Sequence, residues 1–157
     1  MNKTVRIGIV VCIVLLGRIG LSSADLAECI PLSSFAVNDE SYYPHPGDLV
    51  SVGADGFVQK SMMAESPKVM GVVSTKPAHV LRGMIPDSVE VALTGVVPCH
   101  VVAENGPVLP GDLLISSSRP GYAMRANKPY EIGTIVGKAI ERLDSGEGTI
   151  FILVALQ

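Results

Sequence analysis

The sequence predicts an all-β domain: a compact barrel or sandwich built from two copied β units. Three observations predict it. A short phrase occurs twice, Pro46-Gly47-Asp48-Leu49-Val50 and Pro110-Gly111-Asp112-Leu113-Leu114. Each copy is followed by a glycine-bearing turn and then by a strand-like run with glycine inside it, Val69-Met70-Gly71-Val72-Val73 and Ile135-Val136-Gly137-Lys138-Ala139. Throughout, short apolar runs alternate with Gly and Pro punctuation, and no run holds a helical apolar period for about 10 residues or more. A phrase returning with its downstream landmarks in register reads as an internal repeat. The units are taken as residues 46–96 and 110–157, packed about a pseudo-twofold axis.

The repeated phrase has a physical logic. Proline fixes φ and lacks an amide proton, so it suits the residue before a strand. Glycine reaches backbone conformations that strain other residues. An aspartate next to it can accept from nearby backbone amides and close the turn. Gly47, Asp48, Gly111 and Asp112 are therefore read as structural turn residues. The alternative, catalytic or metal-binding carboxylates at Asp48 and Asp112, is the weaker reading because one residue type serves the same corner twice.

Residues 1–24 read as a signal peptide. Lys3 and Arg6 form a basic start, and residues 7–17 are an apolar stretch too short to span a bilayer comfortably. Ser22-Ser23-Ala24 supplies the small residues of a cleavage site, and Arg18 interrupts the end of the apolar run. A retained anchor is the alternative. Cleavage removes Lys3, Arg6 and Arg18 from the 12 basic residues, leaving nine against 15 acidic ones, a net charge of −6. That balance, with no Lys/Arg cluster, argues against nucleic acid and anionic membrane surfaces as partners. No membrane span is expected after cleavage. Location is expected to be secreted, periplasmic or cell-surface.

Residues 25–44 read as a lead-in containing one edge strand, with Ile30, Leu32, Phe35 and Val37 alternating. Residues 49–52 and 57–60 form a hairpin around Gly53-Ala54-Asp55-Gly56. Met62 and Met63 fit either gap-filling in the core, the commoner use, or an adaptable contact surface. Residues 75–87 form a long irregular stretch, where binding is best placed. His79 and Arg82 there are candidate contacts for an anionic ligand, weighed against ordinary solvated loop residues. Val89, Val91 and Leu93 alternate as a half-buried strand, and Pro98 demotes the following run to an edge or bulged strand. In the second unit, residues 113–116 and 122–125 form a hairpin. Residues 149–156 close the chain as a strand apolar on both faces, central or covered by another subunit.

Reaction chemistry is thinly marked. Cys29 and Cys99 remain after cleavage, an even number in an oxidising compartment, and are a possible disulfide. Cys99-His100 is a poor nucleophile pair, since neighbours on a strand face opposite ways. Ser117 and Ser118 lack the Gly-x-Ser-x-Gly setting and read as turn residues. His45, His79 and His100 have no metal-ligand spacing, so no metal and no cofactor is expected. Tyr42, Tyr43 and Tyr122 could serve as stacking platforms for a carbohydrate, although the chain has only four tyrosines and no tryptophan.

One longer pattern resembles a known group. It comprises Val91-Ala92-Leu93-Thr94-Gly95-Val96-Val97-Pro98, Gly106-Pro107, Pro110-Gly111-Asp112-Leu113-Leu114, Ser117-Ser118, Pro120-Gly121-Tyr122-Ala123-Met124 and Gly137-Lys138-Ala139. It resembles the C-terminal β domain of phage neck-appendage and tail-fibre proteins and of bacterial surface proteins, and the Gly-Asp corners resemble those of cradle-loop barrels. The resemblance covers residues 44–157. It implies a β module in a surface assembly. Some members of that group are self-cleaving peptidase-chaperones that use an acidic residue near the scissile bond. No acid here falls on a matching position, and no catalytic residue is assigned. Glu90, Glu104 and Asp112 are the candidate acids of that alternative. The leading expectation is a non-catalytic structural, assembly or binding module, a homo-oligomer or part of a larger surface assembly.

Overall fold

The structure, a computed structural model, describes residues 24–83 and 85–155. The expected signal peptide therefore lies outside the described residues except for Ala24. The elements in order are β1 (Ala24–Pro31), α1 (Ser34–Asn38), β2 (Leu49–Val52), β3 (Val58–Lys60), β4 (Val69–Val73), β5 (His79–Val80), β6 (Ser88–Val102), β7 (Leu113–Ser116), β8 (Ala123–Arg125), β9 (Ile135–Ala139) and β10 (Glu147–Ala155). The chain is almost wholly β, as its periodicity predicts.

The long strand β6 organises the rest. Its second half is one wall of a closed five-stranded barrel, paired antiparallel with β10 and parallel with β8; β10 pairs with β9, β9 with β7, and β7 with β8. The first half of β6 lies between β1 and β4. From β4 the order continues to β2 and β3, and a parallel bridge between Val58 and Leu32, just past the end of β1, joins the far edges. The strands thus trace two rings with β6 in both. A register shift falls at Val50/Ser51 on β2 and at Leu114/Ile115 on β7. Val50 faces Gly71, and Leu114 faces Gly137.

The two corners are built alike. Gly47 N–H donates to the Val73 carbonyl at 2.9 Å, and Gly111 N–H to that of Ala139 at 2.8 Å. Val73 N–H returns to the Asp48 carbonyl at 2.9 Å, and Ala139 N–H to that of Asp112 at 2.9 Å. Both glycines sit in the left-handed region, at φ 92° and 94°, which is why each corner carries one.

A single buried cluster runs through both rings. Leu49, Val69, Val72 and Ala92 pack with Val97, Val101, Leu114, Val136, Ile152 and Val154. Burial at this density, about 25 cal/mol per Å² of apolar surface, is the main stabilising term. Smaller clusters around Val50, Val58, Val73 and Val91, and around Ile115, Met124 and Ile135, complete the packing.

Several expectations are corrected here. The lead-in is no appendage: β1 pairs with β6 from Ala24 to Pro31 and buries Ala27 and Cys29. Its inward residues are small, so the apolar alternation of Ile30, Leu32, Phe35 and Val37 does not mark the strand. Phe35 and Val37 lie instead on a five-residue helix capped by Ser33, whose hydroxyl accepts from Ala36 N–H at 3.3 Å. Residues 89–93 and 96–102 are one strand, with Gly95 inside it. Pro98 is tolerated there for a local reason. Phe151 opposite it turns its own N–H to Glu141 and its carbonyl to Ile140, so Pro98 has no ladder bond to donate on that side. On the other side the described pairing with β1 runs from Ser88 to Val96, and β8 is first met at Val101–Ala123. Met63 is exposed rather than buried. β10 is central, but only one of its faces is buried, by Ile150, Ile152 and Val154; Leu153 faces outward. Cys29 and Cys99 are free and separately buried. Cys29 stands opposite Glu90, nine positions before Cys99 on the same strand, roughly 30 Å of extended chain, far beyond the reach of a disulfide.

Candidate polar site at the junction of the two rings

Just before β6 meets β8, the first corner docks against it. Gly47 offers its carbonyl to His100 N–H at 2.9 Å, which brings Asp48 beside the His100 ring. The second hairpin closes in from the other side: Leu49 N–H donates to the Gly121 carbonyl, and Gly121 N–H to that of Ser61, both at 2.8 Å. The junction is therefore built from β2, β3, β6 and the β7–β8 turn.

Asp48 is the centre of this junction and only 4% exposed. Its Oδ1 lies 3.0 Å from His100 Nδ1. Its Oδ2 accepts the His45 N–H at 2.9 Å and lies 3.4 Å from Lys60 Nζ. Burial works against the charged form of this carboxyl. The hydrogen bond with His100, the His45 N–H and the positive charge of Lys60 outweigh it, and hold Asp48 below the ordinary carboxylate value. The His100 ring stacks on Tyr122 with centroids 5.3 Å apart, and the Arg119 guanidinium lies 4.7 Å from the Tyr122 centroid. Arg119 in turn pairs with Glu147 at 2.8 Å. His45 sits at the outer rim, 3.2 Å from Glu40 and edge-on to Tyr43.

Gly121 is required by this arrangement. Its φ is +79°, and a Cβ there would stand 2.5 Å from Asp48 Oδ1. Cys99, next to His100, is fully buried. Burial, and after it the negative charge of Asp48, push its thiol far up, and its S–H points to the His100 carbonyl at 3.4 Å.

The residues singled out from sequence are spread over the molecule. Asp112 accepts the Leu109 N–H at 2.8 Å, the same turn bond that Asp48 makes. His79 is exposed on β5, opposite Leu26, and Arg82 reaches Glu28 at 3.8 Å, so both flank β1 away from the junction. The three tyrosines form no common platform: Tyr42 meets Phe35, Tyr43 meets His45, and Tyr122 meets His100 and Arg119. Glu90 lies opposite Cys29, while Glu104 accepts the Ser118 N–H at 3.1 Å, so the candidate acids Glu90, Glu104 and Asp112 stand in three different settings. Two partners of Asp48, Lys60 and His100, are not marked as such by any local sequence pattern. The signal was faint: Asp48 and His100 are 52 positions apart.

No family model matches this chain, and no curated protein matches it. Among solved structures, the chain is similar to the pre-mature bacteriophage phi29 gene product 12, with a TM-score of 0.60 and 14% identity. The match covers 87% of this chain and 22% of that one, so the chain spans about a fifth of its length. At that identity the likeness establishes a shared fold: this is a β domain of the architecture found in that phage protein.

Proposed function

We propose that the chain is an exported β module with a structural or assembly role, acting as a homo-oligomer within a larger surface structure. The observation that carries this reading is the junction itself. Its buried carboxylate is taken up by a histidine, a lysine and a backbone amide that come from both rings, an arrangement suited to holding the rings together. A fold shared with part of a phage gene product supports the same class of role. The basic-then-apolar pattern of residues 1–24 supports export. Outward-facing Leu153, on the central strand β10, supports contact between copies.

Sedimentation equilibrium tests the oligomer. The expected result is a mass that is an integral multiple of the single chain, returned to one chain by Leu153→Lys. A monomer at high protein concentration would refute that part. Intact mass followed over days separates this reading from self-cleavage: an unchanged species is expected, and defined fragments would favour the proteolytic alternative.

A further inference from the structure

A cleft of about 420 Å³ opens between the β3–β4 connection and the β8–β9 connection. Glu65 lines it from the first connection; Pro129, Tyr130, Glu131 and Thr134 line it from the second, and Ile115 forms part of its wall. Among these described lining residues there are two carboxylates and no cation. The first connection is pinned to β7, and the second is closed by a bond of its own. Glu65 N–H and Ser66 N–H donate to the carbonyl and hydroxyl of Ser116, each at 2.9 Å. Thr134 Oγ1 donates to the Glu131 carbonyl at 2.6 Å. Each connection also exposes a large aliphatic side chain close in sequence to its lining glutamate: Met63 is 69% exposed and Ile132 95% exposed.

We propose that this cleft binds an arginine side chain from an extended segment of a partner protein, with apolar residues on either side of that arginine. The inference deepens the assembly reading and rests on it in taking the occupant to be a protein. A planar guanidinium suits the lining: it can bond carboxylates bidentately and stack on a tyrosine face. The volume is in the range of small ligand pockets, enough for one long side chain. Met63, two positions from Glu65, and Ile132, next to Glu131, are the exposed apolar side chains nearest in sequence to the lining glutamates, which is why apolar neighbours are assigned to the arginine. Charge complementarity favours the same occupant, since the chain is acidic overall.

The test is an NMR titration of the isotope-labelled full chain with acetyl-Val-Arg-Val-amide, and with the same peptide carrying neutral citrulline in place of arginine. Saturable shifts at Glu65, Tyr130, Glu131 and Thr134 are expected with arginine, with at least tenfold weaker binding of the citrulline peptide. The Glu65→Gln/Glu131→Gln variant, whose changes lie on exposed residues, should lose binding by a similar factor while its other resonances stay in place. Absence of saturable shifts, equal binding of the two peptides, or undiminished binding by the double variant would overturn the proposal. So would shifts at the same residues that depend on protein concentration without peptide, which would mean that a second copy fills the cleft. Sedimentation on the same samples keeps the two proposals apart. A monomer that binds the arginine peptide keeps the cleft and loses the oligomer, and an oligomer indifferent to the peptide does the reverse.

Discussion

At the scale of single residues, Asp48 and Asp112 make the same turn bond, and Asp48 also holds His100 and Lys60. Asp48→Asn keeps the shape and removes the charge, leaving the half-buried Lys60 and His100 poorly matched. A loss of about 2 kcal/mol is expected in urea unfolding at neutral pH. The pH dependence has a definite sign. The folded carboxyl titrates below the unfolded one, so its stabilisation is complete above about pH 4 and is lost as the pH falls through the lower folded value. Unfolding midpoints between pH 5 and pH 2 should fall less steeply in Asp48→Asn than in the parent. Gly121 gives a second contrast. Gly121→Ala must meet both a left-handed backbone and the Asp48 carboxylate, for about 3 kcal/mol. Gly111→Ala has the same backbone requirement with open space around its Cβ, for about 1 kcal/mol. Equal losses in thermal or urea unfolding would count against the junction as described.

At the scale of elements, β1 is the strand whose importance the sequence concealed. It presents Ala27 and Cys29 inward, too small to announce a core face, and the polar Asp25 is buried among them. A chain starting at Asp25 keeps seven of the eight described pairings of β1 with β6, so it is expected to fold. A chain starting at Ser33 leaves the first half of β6 unpaired on one edge and should show no cooperative unfolding by circular dichroism. The hairpins and corners were legible because turn chemistry is local: Pro-Gly-Asp and Gly53 to Gly56 dictate their geometry within a few residues. The continuity of β6 through Gly95 and Pro98 was not, because tolerance of proline depends on what the neighbouring strands leave empty. The polar junction was hidden for the same reason. His100 and Asp48 meet only after β6, the corner and the second hairpin have all docked.

At the scale of the molecule, one apolar cluster threads both rings, from Leu49 and Val72 to Ile152 and Val154. Unfolding is therefore expected to be a single transition, with coincident midpoints by circular dichroism and calorimetry. Two separated transitions would show that the rings are independently stable. The fold class was readable because the periodicity and the recurring corners agreed with one another along the chain. We propose that the two units descend from one ancestral half. Their corners share hydrogen bonds and left-handed glycines, while their surroundings have diverged: Gly121 abuts Asp48, whereas Gly56, at the other hairpin turn, has open space around it.

Because β6 belongs to both rings, the second ring is not a self-sufficient piece of chain: its fifth wall comes from the strand that also completes the first. A break in the turn at residues 104–106 would leave the first fragment with its ring complete but the second half of β6 stripped of β8 and β10, and the second with four strands and a missing wall. The first fragment holds the wall that the second lacks, so a nicked molecule is expected to stay whole in gel filtration, and two intact chains that opened at this point could trade arms and close again as an interlocked pair.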